Sequence, residues 1–128
     1  MNLVKTESIQ LTTEDTLTIS AGYDDVILEE SKTNKIVIEE YCNKQLVADK
    51  QFNVAISEDN VLVKTNSDGL SSYNLFSFHK YKILKIFIPA FFPNHLNIET
   101  TSGEVISNIN LLMETITIST SSGDITIF

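Results

Sequence analysis

The chain has 128 residues and a formal net charge of -8, because 17 acidic residues outnumber nine basic residues, all of them lysine. Its apolar content of 42% is enough for one domain with a continuous core. Scattered lysines in an acidic chain exclude the clustered basic surface with which proteins bind nucleic acid, and they exclude purely electrostatic binding to an anionic membrane.

The N-terminal residues 1–7 contain neither a basic region nor an apolar run, so they do not predict a signal peptide. The longest apolar stretch, Ile83 to Pro93, is interrupted by Lys85 and Pro89 and is much shorter than the roughly 20 residues of a spanning helix. We therefore expect a chain that is soluble as given, with no direct membrane insertion.

Apolar residues alternate with polar ones in short bursts, and this period of two predicts β-strands. Clusters of Gly, Asn, Asp and Ser between the bursts predict turns. The best helical candidate, Glu40 to Asp49, has no sustained period of 3.6 and predicts at most a turn. The sequence therefore predicts an all-β fold. The bursts fall at Leu17 and Ile19, Val26 and Leu28, Ile36 and Ile38, Val54 and Ile56, Val61 and Val63, Leu96 and Ile98, Ile116 and Ile118, and Ile125 and Ile127.

An aromatic segment from Tyr73 to Pro93 separates the middle bursts from the last ones. It is less regular than the rest of the chain, and aromatic side chains normally serve packing. We expect these rings to fill the core or cap one end rather than to form a binding patch. The aromatic residues inside the segment are Phe76, Phe78, Tyr81, Phe87, Phe91 and Phe92.

The most regular part of the chain is a repeat near the C-terminus. Residues 96–105, Leu-Asn-Ile-Glu-Thr-Thr-Ser-Gly-Glu-Val, align with residues 116–125, Ile-Thr-Ile-Ser-Thr-Ser-Ser-Gly-Asp-Ile, at an offset of 20 residues. A fixed period indicates units that stack because none can bury its apolar face alone. We predict a single domain over residues 1–128 that forms a short right-handed single-stranded β-helix, or β-solenoid, with its most regular repeats at 96–108 and 116–128.

A Greek-key β-sandwich is the alternative fold, since its strands have similar lengths and spacing. The constant offset between the two repeats favours stacking.

Each repeat contains a Thr-x-Ser-Gly corner followed by an acidic residue. We expect the glycine to supply a positive φ and the serine to bond the turn backbone. The corners of successive units are then expected to form ladders. The residues assigned to these structural turns are Ser102, Gly103, Glu104, Ser122, Gly123 and Asp124.

The sequence predicts no catalytic, cofactor-binding or metal site. Cys42 is the only cysteine, and His79 and His95 lie far from it along the chain. A calcium-binding β-roll would need a nonapeptide repeat rich in glycine and aspartate, which is absent. Adjacent acidic residues point to opposite faces of a strand, so we expect them to be solvated charges. These pairs are Asp24 and Asp25, Glu29 and Glu30, and Glu39 and Glu40.

The order of these features resembles the bacterial putative-adhesin family of unknown function. The resemblance covers nearly the whole chain and is most specific in Ile86-Phe87-Ile88-Pro89 followed by the Ser-Gly-acidic repeats. It implies a β-helix-like solenoid of cell-envelope-associated proteins, with no established enzymatic activity and no catalytic residues to carry over.

We therefore expect a non-enzymatic structural or interaction module. Its partners would be a second copy or an envelope component, bound through solenoid ends where backbone groups are unpaired. The alternative is a carbohydrate-binding or carbohydrate-active β-helix domain, with Glu104 and Asp124 as paired carboxylates. The absence of arginine and tryptophan, which commonly hold sugars, argues against that alternative.

Overall fold

The computed structural model describes residues 2–10, 16–22, 24–42, 51–58, 60–65, 82–89, 95–109 and 115–127. These residues form β-strands and no helix, which confirms the prediction of an all-β fold. The described residues therefore include no helix that could span a membrane. The strands are β1 (Asn2–Ile9), β2 (Thr16–Gly22), β3 (Asp25–Glu30), β4 (Ile36–Cys42), β5 (Asn53–Ile56), β6 (Asn60–Lys64), β7 (Lys82–Ile88), β8 (His95–Thr100), β9 (Val105–Ser107), β10 (Thr115–Thr120) and β11 (Ile125–Ile127).

The strands form two sheets that share one apolar core. The six-stranded sheet has the order β1-β4-β7-β3-β9-β11, and the five-stranded sheet has the order β10-β8-β2-β6-β5. We use the word coil for a strand of the five-stranded sheet together with the strand that follows it in the chain, which lies in the six-stranded sheet. The coils are β2–β3, β6–β7, β8–β9 and β10–β11.

The coils stack through parallel ladders, but their order in space differs from their order in the chain. The β2–β3 coil lies between the β6–β7 coil and the β8–β9 coil, because β2 pairs with both β6 and β8 and β3 pairs with both β7 and β9. The β10–β11 coil follows on β8–β9. The stack therefore differs from a solenoid whose coils succeed one another in chain order.

The last two coils pair in a register equal to the offset between the sequence repeats. His95 to Thr100 lie opposite Thr115 to Thr120, residue for residue. Val105 to Ser107 lie opposite Ile125 to Ile127 in the same way. A shift of one residue would turn every apolar side chain away from the core, so the alternating pattern fixes this register.

Apolar side chains of successive coils form columns between the two sheets. One column consists of Leu17, Leu96 and Ile116, and a second of Val26, Val105 and Ile125. The first two members of each column are completely buried, whereas the member in the β10–β11 coil is not.

At the far end of the stack the pairing becomes antiparallel. Strand β4 pairs with β7, β1 pairs with β4, and β5 pairs with β6 in opposite directions. A Greek-key sandwich has antiparallel sheets, whereas six of the nine described strand pairs are parallel, so the connectivity differs from that alternative. The sheets are mixed, and the described residues do not amount to a closed solenoid.

Two sequence predictions fall largely outside the described residues. In the aromatic segment only residues 82–89 are described, and there Phe87 lies on the face of β7 opposite the buried Leu84 and Ile86. The helical candidate is described only as far as Cys42, where β4 ends.

Candidate functional site

The corners between β8 and β9 and between β10 and β11 stack on the corner that follows β2. Thr101 donates its N–H to the carbonyl of Gly22 at 2.7 Å, and Ser122 donates its N–H to the carbonyl of Thr101 at 3.0 Å. Beyond each corner, Val26 N–H bonds the carbonyl of Glu104 at 2.8 Å, and Val105 N–H bonds that of Asp124 at 2.9 Å. These bonds form a ladder of main-chain contacts along one side of the stack.

Close packing of the corners, rather than unusual backbone dihedrals, explains the glycines of the repeat. Among the described residues only Gly22 has a positive φ, of 58°, so the expectation of positive φ at Gly103 and Gly123 is wrong. A Cβ on Gly103 would lie 1.9 Å from the carbonyl oxygen of Asp24, and one on Gly123 would lie 2.1 Å from that of Gly103. The coils can therefore stack at this distance only if these positions have no side chain.

The hydroxyl groups at the corners bond main-chain atoms. Ser122 Oγ donates to the carbonyl of Thr101 at 3.3 Å, whereas Ser102 takes part through its N–H, which bonds the carbonyl of Gly22 at 3.3 Å. Thr100 Oγ1 donates to the carbonyl of Gly103 at 3.1 Å, and Thr120 Oγ1 accepts the N–H of Gly123 at 2.9 Å. Thr100 and Thr120, at the ends of β8 and β10, thus hydrogen-bond the main chain of their own corners. The sequence repeat alone did not assign them this role.

The acidic residues after the corners contribute main-chain groups to the ladder. Glu104 and Asp124 have exposed side chains, and their carbonyls accept the bonds described above. The N–H of Glu104 is bound by the carboxylate of Asp25, with 2.8 Å between nitrogen and Oδ1. Asp25, rather than either repeat carboxylate, is therefore the acidic side chain that ties two corners together.

Replacing Asp25 by alanine is expected to lower the free energy of unfolding by about 1–2 kcal/mol, since it leaves the Glu104 N–H without its charged acceptor. Glu104→Ala, which removes a carboxylate from the same corner but keeps the main-chain bond, is the matched control and should change stability by less than about 0.5 kcal/mol. Urea unfolding of both variants measures the difference. Equal losses would show that the Asp25 bond does not hold the corner.

A cluster of buried charges lies beside the corner of the β2–β3 coil. Lys82 Nζ is 3.6 Å from Asp24 Oδ2 and 3.9 Å from Glu40 Oε2. None of the three residues exposes more than 8% of its surface. The prediction that the acidic pairs are solvated is therefore wrong for Asp24 and Glu40.

The alternation of the strands explains how two of these charges reach the interior. Glu40 lies on the same face of β4 as Ile36 and Ile38. Lys82 lies on the same face of β7 as Leu84 and Ile86. The positions could have been identified from the period of two, had the apolar pattern been given precedence over the residue type.

Burial controls the protonation of both carboxyl groups. It raises the pKa of Asp24 to about 6, although the charge of Lys82 and a hydrogen bond from Thr65 act in the opposite direction. It also raises the pKa of Glu40, against the N–H of Phe52, which bonds Glu40 Oε1 at 3.1 Å, and against the charges of Lys82 and Lys5. Among the described residues, Asp24 Oδ2 and Glu40 Oε2 have no hydrogen-bond partner. The carboxyl groups of Asp24 and Glu40 thus both lie near the ammonium group of Lys82 inside the fold.

The raised pKa of Asp24 predicts a loss of stability with rising pH. The folded form holds the proton more tightly than a carboxyl group with the ordinary pKa of 3.8, so this contribution to stability is complete below about pH 4 and is lost as the pH rises through 6. Relative to Asp24→Asn, whose side chain does not titrate, the wild type should lose about 2 kcal/mol between pH 4 and pH 7. Urea unfolding at several pH values tests this. The raised pKa of Asp24 would be contradicted if the difference in free energy of unfolding between the wild type and Asp24→Asn stayed constant with pH. It would also be contradicted if the wild type gained stability relative to the variant as the pH rises.

The β10–β11 coil forms an open end of the stack. Both strands are edge strands, with no described strand on their outer side. Its core-facing residues are incompletely covered: Ile125 is 42% exposed and Ile127 57% exposed, while Ile116 and Ile118 are partly buried. Within the described part of the chain, this end therefore combines unpaired strand edges with a partly exposed layer of the core.

From the sequence we expect neither a metal site nor a catalytic cysteine. The described residues include no group of three or more His, Cys, Asp or Glu side chains that could hold a metal ion. Cys42 is buried in β4, and His79 lies outside the described residues.

Comparisons with known proteins give a family for the chain. Residues 14–128 match the family described as Toastrack DUF4097, and the chain belongs to this family, a domain family of unknown function. A crystal structure from Clostridium sporogenes, described as a "putative cell adhesion protein", is similar to the chain with a TM-score of 0.48 and 10% sequence identity, over 96% of this chain and 98% of that one. No curated protein matches the chain.

Proposed function

We propose that this member of the Toastrack DUF4097 family is a non-enzymatic interaction module whose working surface is the open end formed by β10 and β11. In this proposal the chain is a short right-handed β-solenoid and an adhesin-like part of a bacterial cell-envelope-associated protein. The end binds β-structure of a partner, which extends both sheets and covers the last core layer.

One observation carries the proposal: the apolar columns of the stack end in an uncovered layer. Ile125 and Ile127 follow Val105 and Ser107 in register, and both remain about half exposed. Burying the exposed part of an isoleucine stabilises a complex by about 1 kcal/mol. Proteins that use no such edge usually protect it with lysine, proline or a bulge, and residues 115–127 contain neither lysine nor proline.

The non-enzymatic part of the proposal is supported by the positions of the charged groups. The acids with raised pKa values, Asp24 and Glu40, are buried around Lys82, where a substrate has no access. Glu104 and Asp124 are exposed but belong to stacked corners that a structural repeat explains. No observation on the described residues favours the carbohydrate alternative.

An added coil tests whether the open end can bind matching β-structure. A copy of residues 109–127 placed after Phe128 keeps the period of 20 residues and supplies one more unit with the repeat sequence. The end should accept it, because nearest-neighbour contacts stabilise stacked repeats. We expect the free energy of unfolding to rise by about 2 kcal/mol, from the newly covered isoleucines.

The control is the same 19 added residues in scrambled order, which lengthen the chain without restoring the repeat. Urea unfolding and hydrogen exchange compare the two extended chains. Slow exchange in the added strands together with higher stability supports a competent docking end. If the native and scrambled extensions give equal stability and the added strands exchange as fast as an unfolded chain, the proposal fails.

A further inference from the structure

We infer that the partner at the open end is a second copy of this chain, related by a two-fold axis that pairs β10 with β10 and β11 with β11 in antiparallel fashion. The inference rests on the proposed function, because it names the partner of the same end. A two-fold interface needs only one self-complementary surface on each chain.

The opposite end of the stack, as far as the structure describes it, does not continue the parallel coils, so it is not the counterpart of the open end that a head-to-tail repeat of the stack would need. There the outermost strands are β1 and β5, each added through antiparallel pairing. The parallel coil that receives β10 and β11 within the chain, β8–β9, is already covered by them. Contact between two identical ends brings the partly exposed isoleucines of the two copies together.

Charge also favours the two-fold arrangement. The chain carries a net charge of -8, but residues 115–127 contain a single charged residue, Asp124. Two copies can therefore bring these coils together without crowding like charges. Antiparallel pairing of β11 with β11, centred on Thr126, separates the two Asp124 residues by four residues along the strand direction, or about 14 Å. Parallel pairing would instead place one Asp124 beside the other.

The core-facing residues match when the pairing is centred on Thr117 and Thr126. Directly opposite residues of antiparallel strands lie on the same face of a sheet. Ile116 then lies opposite the partner's Ile118, and Ile125 lies opposite the partner's Ile127. The uncovered isoleucines of both copies form one shared layer, and both sheets continue from one copy into the other.

Sedimentation velocity over a concentration series tests the partner. The wild-type chain should form a dimer that dissociates on dilution. Ile127→Lys introduces a charge where the partner's Ile125 is expected and should weaken dimerisation at least about 30-fold. Ile56→Lys, the same substitution at a 70% exposed position on the opposite edge of the stack, is the matched control and should leave the dimer unchanged.

Disulfide cross-linking tests the two-fold axis. A cysteine at Thr117 lies opposite its own copy across the axis, at a Cα separation of about 4.5–5.5 Å, so Thr117→Cys should give a covalent dimer on mild oxidation. Asn97→Cys, which pairs with Thr117 one strand further from the end, should not. Cys42 is buried, so we expect it to form no cross-link in either variant.

A monomer at every concentration, a dimer that Ile56→Lys disrupts as strongly as Ile127→Lys, or equal cross-linking of the two cysteine variants would overturn the inference. A failure of this inference can be distinguished from a failure of the proposed function. If the chain stays monomeric while the added native coil still stabilises it, the end binds β-structure but not a second copy. If the added coil has no effect either, both proposals fail.

Discussion

Replacing Gly103 by alanine should lower the free energy of unfolding by about 3 kcal/mol, a large loss for a single methyl group. The added Cβ would lie 1.9 Å from the main-chain oxygen of Asp24. A main-chain atom cannot rotate away as a flexible side chain can, so two coils must separate or the corner must distort. Denaturation in urea, followed by far-UV circular dichroism, measures the loss.

Gly123→Ala and Ser102→Ala are the controls for this prediction. The Cβ of residue 123 would lie 2.1 Å from the oxygen of Gly103, but its coil has no described strand beyond it and can shift outward, so we expect a loss of about 1 kcal/mol. Ser102 is exposed, and its alanine variant should be nearly neutral. If Gly103→Ala is as stable as Ser102→Ala, the corners are not in close contact.

Replacing Lys82 by methionine should lower the free energy of unfolding by about 3–5 kcal/mol at pH 7, because two buried carboxyl groups lose the cation between them. The loss should shrink as the pH falls. Asp24 and Glu40 both have raised pKa values, and without Lys82 the pKa values rise further. Protonation on lowering the pH then removes the uncompensated charges and restores part of the stability.

Lys64→Met is the matched control, since it removes a lysine from an exposed position on β6. It should change the free energy of unfolding by less than about 0.5 kcal/mol at either pH. Urea unfolding at pH 5 and pH 7 compares the two variants. Equal effects of Lys82→Met and Lys64→Met, or a loss that does not depend on pH, would contradict the structural role given to the ion cluster.

The parts of the fold that the sequence predicts are those fixed by local patterns. Alternation identifies Leu17 and Ile19 as core residues because a strand presents every second side chain to the same face. The repeat predicts the register of β8 against β10 because equivalent apolar residues must lie in one column. These features depend on neighbouring residues and on a constant spacing, and both are visible in the chain itself.

The parts that sequence reasoning missed depend on contacts between distant residues. No spacing rule indicates that β2 lies between β6 and β8, since many strand orders bury the same apolar faces. The reason for Gly103 is the carbonyl of Asp24 in another coil, which a local rule about φ could not supply. Glu40 and Lys82 were missed for a different reason, which is their residue type. Their positions follow the alternation, but acidic and basic residues are rarely buried unless paired, and their partners were unknown.

Hydrogen exchange of the dilute wild-type chain, resolved to single amides, tests most directly whether the stack ends in an open coil. We expect slow exchange of the core amides of β2 and β8, which have strand neighbours on both sides. The N–H groups of β10 and β11 that point away from β8 and β9 should exchange orders of magnitude faster. Equal protection of both edges of β10 in the dilute monomer would contradict an open end, because it would mean that the chain itself already covers this end.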